Sequence, residues 1–203
     1  MNYINAAKRP FTSLKRLCLG ILLNIIPLIN FFTCGYIIEC ALSPKKELPE
    51  WKNWGSLFIK GFYWTVINIS YSIIPIAFML LSFGTKIFNE QNLASAIKTN
   101  LELGITAGLI AGISLYLTPS AILSFAYSGK LRNAFKSEVF SRAITMQYLK
   151  SIITASIIFI ASSIVLGIIV SLTGGNAGAK LVSIAVSSFI TEVTLFTLLG
   201  EQR

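Results

Sequence analysis

Apolar residues run along this chain in long blocks, separated by short polar stretches. Five blocks stand out, at about 17–42, 62–83, 101–128, 150–173 and 181–200. Each reaches the roughly 20 residues that a helix needs to cross the hydrocarbon of a bilayer. The four later blocks read as full spans. The first is less regular, because Asn24, Pro27 and Asn30 cluster near its middle and Pro27 removes a helical hydrogen bond. It either spans as a kinked helix or dips into one leaflet and returns.

Two stretches carry a different pattern. Trp51, Trp54, Phe58 and Phe62 recur at three- and four-residue steps, with Lys52, Asn53, Ser56 and Lys60 between them. Leu131, Phe135, Val139 and Ala143 recur at four-residue steps among Lys130, Arg132, Lys136 and Arg142. Both patterns predict amphipathic helices in the membrane interface, over about 49–61 and 130–147. Pro49 suits the first turn of the earlier one. Residues 84–100 read as a polar loop, 174–180 as a Gly-rich turn and 1–16 as a short surface lead-in. The fold class is then all-α. The chain is a polytopic helical membrane protein, one integral membrane domain over residues 1–203. It has four full spans, an N-terminal re-entrant or kinked fifth membrane segment and two interfacial amphipathic helices.

Composition sharpens this picture. Hydrophobic residues make up 54% and charged residues only 12%, with a mean hydropathy of +0.72, whereas soluble domains carry about 25% charged residues. The 17 Lys and Arg outnumber the 8 Asp and Glu. Cations near a membrane stay on the cytoplasmic side. If the first block re-enters, 14 of the 17 share one side. If it spans, the split is 10 against 7. A misplaced surface cation costs on the order of 1 kcal/mol, so charge favours re-entry. The expectation is a multi-pass protein of the cell membrane with both termini cytoplasmic. Its basic flank and first apolar run resemble a signal sequence, but no small-x-small cleavage site follows, so the segment is expected to be retained. The cations are expected to meet anionic lipid headgroups. No water-exposed basic module is available for nucleic acid.

Chemistry is sparse. Cys18, Cys34 and Cys40 fit neither a zinc site nor a redox pair. The chain contains no His and no Asp, and it shows no nucleophile elbow and no phosphate-cradling loop. The expectation is a protein that is not an enzyme, with no catalytic residues, cofactor or metal. Gly104, Gly108 and Gly112 repeat every four residues, and Ser163, Gly167 and Ser171 form a second such row. Small residues at that spacing predict a close helix–helix approach, within this chain, in a homo-oligomer or against a membrane-protein partner. Glu192 lies near the middle of the last span, where an acid costs about 2.5 to 3.5 kcal/mol to insert. It shares a polar side with Ser183, Ser187, Ser188, Thr191 and Thr194. It is either a proton or cation contact on a pathway, or a protonated carboxyl hydrogen-bonded to Asn68 or a Tyr.

A loose internal repeat pairs residues 17–83 with 101–173, each with a Pro-containing apolar run and an aromatic near its end. A more specific likeness lies in Gly35, Tyr36, Leu48, Pro49, Glu50, Trp51, Trp54, Leu57, Phe58 and Gly61, with an echo in Ala134 and Phe135. In these residues the chain resembles the prokaryotic multi-pass membrane protein family "domain of unknown function 4013". The resemblance implies a membrane location and a helical fold, and no activity. Two functions fit. One is a membrane-organising or partner-binding helical bundle. The other is a small-solute or ion transporter or channel subunit with Glu192 on the pathway.

Overall fold

The computed structural model describes residues 3–43, 46–172 and 174–202. All its regular structure is helical. A short α1 (Tyr3–Lys8) and one 3-10 turn (Arg9–Thr12) lead into α2 (Leu14–Ile25) and α3 (Asn30–Leu42). Then follow α4 (Trp54–Phe83), a 3-10 turn (Gly84–Phe88), α5 (Glu90–Thr99) and α6 (Leu101–Ser128). A third 3-10 turn (Leu131–Phe135), α7 (Ser137–Ala143), α8 (Met146–Leu172) and α9 (Ala177–Gly200) complete the chain. Four helices, those that begin at Trp54, Leu101, Met146 and Ala177, are long and apolar enough to cross a membrane.

The first apolar block is a helical hairpin. Pro27 forces the residue before it out of helical geometry, and Ile26 is accordingly extended, at φ −98° and ψ 116°. The chain reverses there, and α3 returns beside α2. Contacts along α9 fix the levels. Asn24, at the tip, donates to the Ala185 carbonyl and to Ser188 Oγ. Higher up, Thr33 of α3 donates to the Gly20 carbonyl of α2. At the open end, Arg9 reaches both the Cys40 carbonyl and Thr197 Oγ1. Both ends of the hairpin therefore lie at the level of the C-terminus of α9. The 13 residues of α3 reach about 20 Å, short of the roughly 30 Å hydrocarbon. Asn24, two residues before the turn, ties it to α9 through its two bonds.

α3 is the core of the bundle. Thr33 to Ile38, Cys40 and Ala41 are buried, with α4, α9, α6 and α2 packed around them. Two glycines let α4 approach it. A Cβ on Gly35 would fall 1.9 Å from the Leu57 carbonyl oxygen, and one on Gly61 would fall 1.7 Å from that of Phe31. Each helix thus lays a glycine against the other's backbone. Gly200 does the same for α9 against the Ala41 carbonyl, at 2.1 Å.

Several expectations are corrected. Residues 49–53 are not helical, and the expected interfacial helix 49–61 is instead the start of α4, which runs unbroken from Trp54 to Phe83. Asn53 enters it in the left-handed region at φ 55°. The backbone of 48–50 is held open because its carbonyls serve as acceptors for distant side chains. Nor is 130–147 one amphipathic helix. It is a 3-10 turn and a two-turn helix, broken by extended Lys130 and Lys136. Ala134 takes the buried place and Phe135 is exposed. Residues 84–100 are helical rather than a loop, with Asn89 capping α5. Residues 3–12 are no surface lead-in, because Ala6, Arg9 and Pro10 are buried. Residues 1, 2, 44, 45, 173 and 203, which fall within the ranges and charge counts given above, lie outside the described residues.

Candidate functional site

The open end of the hairpin gathers the polar side chains that distinguish this chain from a plain bundle. Arg9 is only 1% exposed. Its guanidinium donates to the carbonyls of Glu47, Cys40 and Ser43 and to Thr197 Oγ1, at 3.2, 2.9, 2.5 and 2.8 Å. Two of those carbonyls stand at the C-terminal end of α3, where the last carbonyls of a helix have no partner and its dipole is negative. Desolvation pulls the Arg9 pKa below its ordinary value, while nearby Glu201 works the other way. The planar fork serves four acceptors at once, which a lysine could not do. Arg9 thereby ties α3, the strap after it and α9 to the N-terminal segment.

The strap itself is residues 46–53. Tyr36, fully buried in α3, stacks on Trp51 with ring centroids 3.9 Å apart and planes 2° from parallel. Its hydroxyl donates to the Pro49 carbonyl at 2.7 Å. Trp51 Nε1 donates to the Arg16 carbonyl, and Arg16 donates to the Leu48 carbonyl. Leu48 N donates to Thr12 Oγ1 at 3.2 Å. Glu50 lies between Lys52 at 2.5 Å and Arg16 at 3.6 Å. The hydrogen bond from Lys52, then its charge, holds the Glu50 carboxyl below the usual carboxylate range. Trp54, Phe58 and Phe62 remain exposed along α4 and edge against Phe31 and Phe32. The residues Gly35, Tyr36, Leu48, Pro49, Glu50, Trp51, Trp54, Phe58 and Gly61 therefore converge on one junction of α3, the strap and α4. Trp51 leaves the helical aromatic row that its spacing suggested and stacks on α3 instead.

A second junction on the same end repeats the chemistry. Tyr71 donates to the Ala134 carbonyl and Tyr116 to that of Ala143, at 2.8 and 2.7 Å. Ser120 donates to the Val139 carbonyl, and Arg142 donates to Ser124 Oγ at 2.7 Å. The parallel with the first junction is partial, because Pro119 sits inside an unbroken α6 while Pro27 stands at a reversal.

Glu192 is partly exposed on α9. It has no hydrogen bond or ion pair to the described residues, and it lies within electrostatic reach of the Cys34 thiol. Asn68, expected as its partner, donates to the Trp64 carbonyl of its own helix. Nor do the hydroxyls near it share one side. Ser188 faces Asn24, while Ser187 lines a groove beside α8. The glycine rows also differ from expectation. Nothing lies within 4 Å of a Cβ placed on Gly108, Gly112 or Gly167, and Gly104 meets only the Ile97 side chain of α5. Ser163 lines the groove between α8 and α9 rather than a tight crossing.

Arg9 and Arg16 are the residues that the reading of the sequence missed as part of this site. Their one distinguishing signal was their identity as arginines, among lysines, beside a stretch destined to expose carbonyls.

No curated protein and no solved structure matches the chain. The family described as "Protein of unknown function (DUF4013)" matches over residues 18–174, a range that runs from α2 to the turn after α8 and takes in the second junction and the α3, strap and α4 residues of the first, but not Arg9, Thr12, Arg16 or Thr197. This helical chain with four membrane-length helices therefore belongs to that family.

Proposed function

We propose that this protein is a membrane-organising or partner-binding helical bundle of the cell membrane, with both termini on the cytoplasmic side. The observation that supports this reading is the α2–α3 hairpin, whose two ends meet at Arg9. A hairpin shorter than the hydrocarbon adds volume to one leaflet and none to the other. Its outer face carries Leu14, Leu22, Ile25, Ile26 and Leu28, all exposed and all suited to acyl chains. The basic end adds a charge argument. Of the described Lys and Arg residues only Lys86, Lys98 and Lys180 stand at the opposite end, and this positive-inside bias supports a cytoplasmic hairpin mouth. This reading includes no catalytic step.

A transporter or channel subunit is the second reading, favoured by the unpaired carboxyl of Glu192. The two separate cleanly. Reporter cysteines replacing Lys8 and Lys46, in a cysteine-free background, should both resist an impermeant maleimide in intact cells and both react after permeabilisation. Labelling of one and not the other in intact cells would sink the hairpin reading. Vesicles of phosphatidylethanolamine and phosphatidylglycerol holding the protein should show no solute flux above protein-free vesicles. Flux abolished by Glu192→Gln would establish the second reading instead.

A further inference from the structure

α8 and α9 are packed neighbours joined by a short turn. Between them lies a groove of about 510 Å³, lined on α8 by Ser163, Gly167 and Ser171 and on α9 by Lys180, Ser183 and Ser187. Rows of small residues ordinarily bring helices together, yet here nothing approaches within 4 Å of a Cβ placed on Gly167. Ser187 is 2% exposed, and its Oγ is buried without any hydrogen-bond partner among the described residues. A buried hydroxyl without a partner costs on the order of 1 to 3 kcal/mol, and an acceptor seated in the groove would relieve that cost.

The mouth of the groove points to a charge. Lys180 stands in the first turn of α9, and no acidic residue accompanies it there. The N-terminus of a helix is already a positive pole, and a lysine adds to it. Both features favour an anion at that place. From Lys180 to Ser187 is about 10 Å along the helix, with Ser183 between. Beyond Ser187 the lining is the Phe159 ring, and the residues that α8 buries, Tyr148, Ser151 and Ala155, all lie in its first half.

We infer that the α8–α9 groove is a binding site for one anionic glycerophospholipid. Its phosphate meets Lys180 at the mouth, its glycerol lies along Gly167 and Ser183, an ester carbonyl accepts from Ser187 Oγ, and one acyl chain continues past Ser163 toward Phe159. This site lies at the end of the bundle opposite the Arg9 junction and does not depend on the function proposed above.

Native mass spectrometry of the full chain in detergent, with phosphatidylglycerol or phosphatidylcholine added, tests it. The wild-type chain should retain one phosphatidylglycerol in preference to phosphatidylcholine. Gly167→Leu fills the groove at a position with open space and better helix propensity, so it should fold and lose that lipid by tenfold or more. Lys180→Gln should keep chain binding but cut the preference for the anionic lipid about fivefold. Gly108→Leu, the same change on the outward row of α6, should leave occupancy unchanged. Equal lipid retention in Gly167→Leu and wild type would overturn the proposal. So would an equal loss in Gly108→Leu, or the finding that Gly167→Leu removes a dimer rather than a lipid.

Discussion

Gly35 and Gly61 invite comparison with Gly108 and Gly112. All four are glycines in apolar helices, and the second pair stands in the more regular row. Yet the first pair lies against the backbone of a neighbouring helix, and the second faces open space. Spacing tells which side of a helix is small. It does not tell whether another helix stands there. For α3 and α4 the partner is supplied by the strap, which turns the chain back within a few residues and pins α3 through Tyr36 and Trp51. α6 has α5 against Gly104 and nothing at the next two positions.

The comparison can be broken most directly at Gly61. Gly61→Ala places a methyl group 1.7 Å from a carbonyl oxygen, so α3 and α4 must separate. A loss of about 3 kcal/mol is expected, read from unfolding in mixed micelles. Gly35→Ala should cost a similar amount. The double variant should cost clearly less than their sum, because one separation relieves both clashes. A sum that is simply additive would mean that the two glycines do not share one contact. Next in size is Arg9→Gln, which leaves backbone acceptors of α3 and the strap short of donors. About 2 kcal/mol should be lost in the same unfolding measurement. Arg9→Lys should recover little of it, since one ammonium cannot span four acceptors. Tyr36→Phe keeps the stack on Trp51 and removes one hydrogen bond to Pro49, for about 1 kcal/mol. Smallest of all, Gly108→Ala and Gly112→Ala should be neutral or stabilising by up to about 1 kcal/mol, because Ala is the better helix former. A large loss at either position would mean that a partner outside this chain covers that row.

The site was legible in pieces. The aromatic and glycine positions between Gly35 and Gly61 stood out by residue type, and they do converge. What hid their arrangement was competition for the backbone. The step from Trp51 to Trp54 to Phe58 has a helical period, but Tyr36 and Arg16 take the carbonyls of Pro49 and Leu48, and a helix would have used them internally. The same competition marks the breaks in the helix expected over 130–147, where Tyr71 takes the Ala134 carbonyl and Tyr116 that of Ala143, the last residue of α7. Arg9 was invisible for a related reason. Its hydrogen-bond partners are backbone oxygens and a threonine, which no charge pattern in the sequence marks.

By itself the sequence determined that this is a helical membrane chain, that it has four helices of membrane length among the described residues and where its first apolar block breaks. Those follow from length, hydropathy and a proline, which act locally wherever the segment ends up. Charge counting also pointed to re-entry of that block. Only the tertiary structure decided which glycines touch a neighbour, which arginine is buried, where Trp51 turns and which hydroxyls on α9 lack a partner. Each of these depends on what stands opposite, within a few ångströms, on a segment distant in the chain. A periodic pattern on one helix carries no record of that.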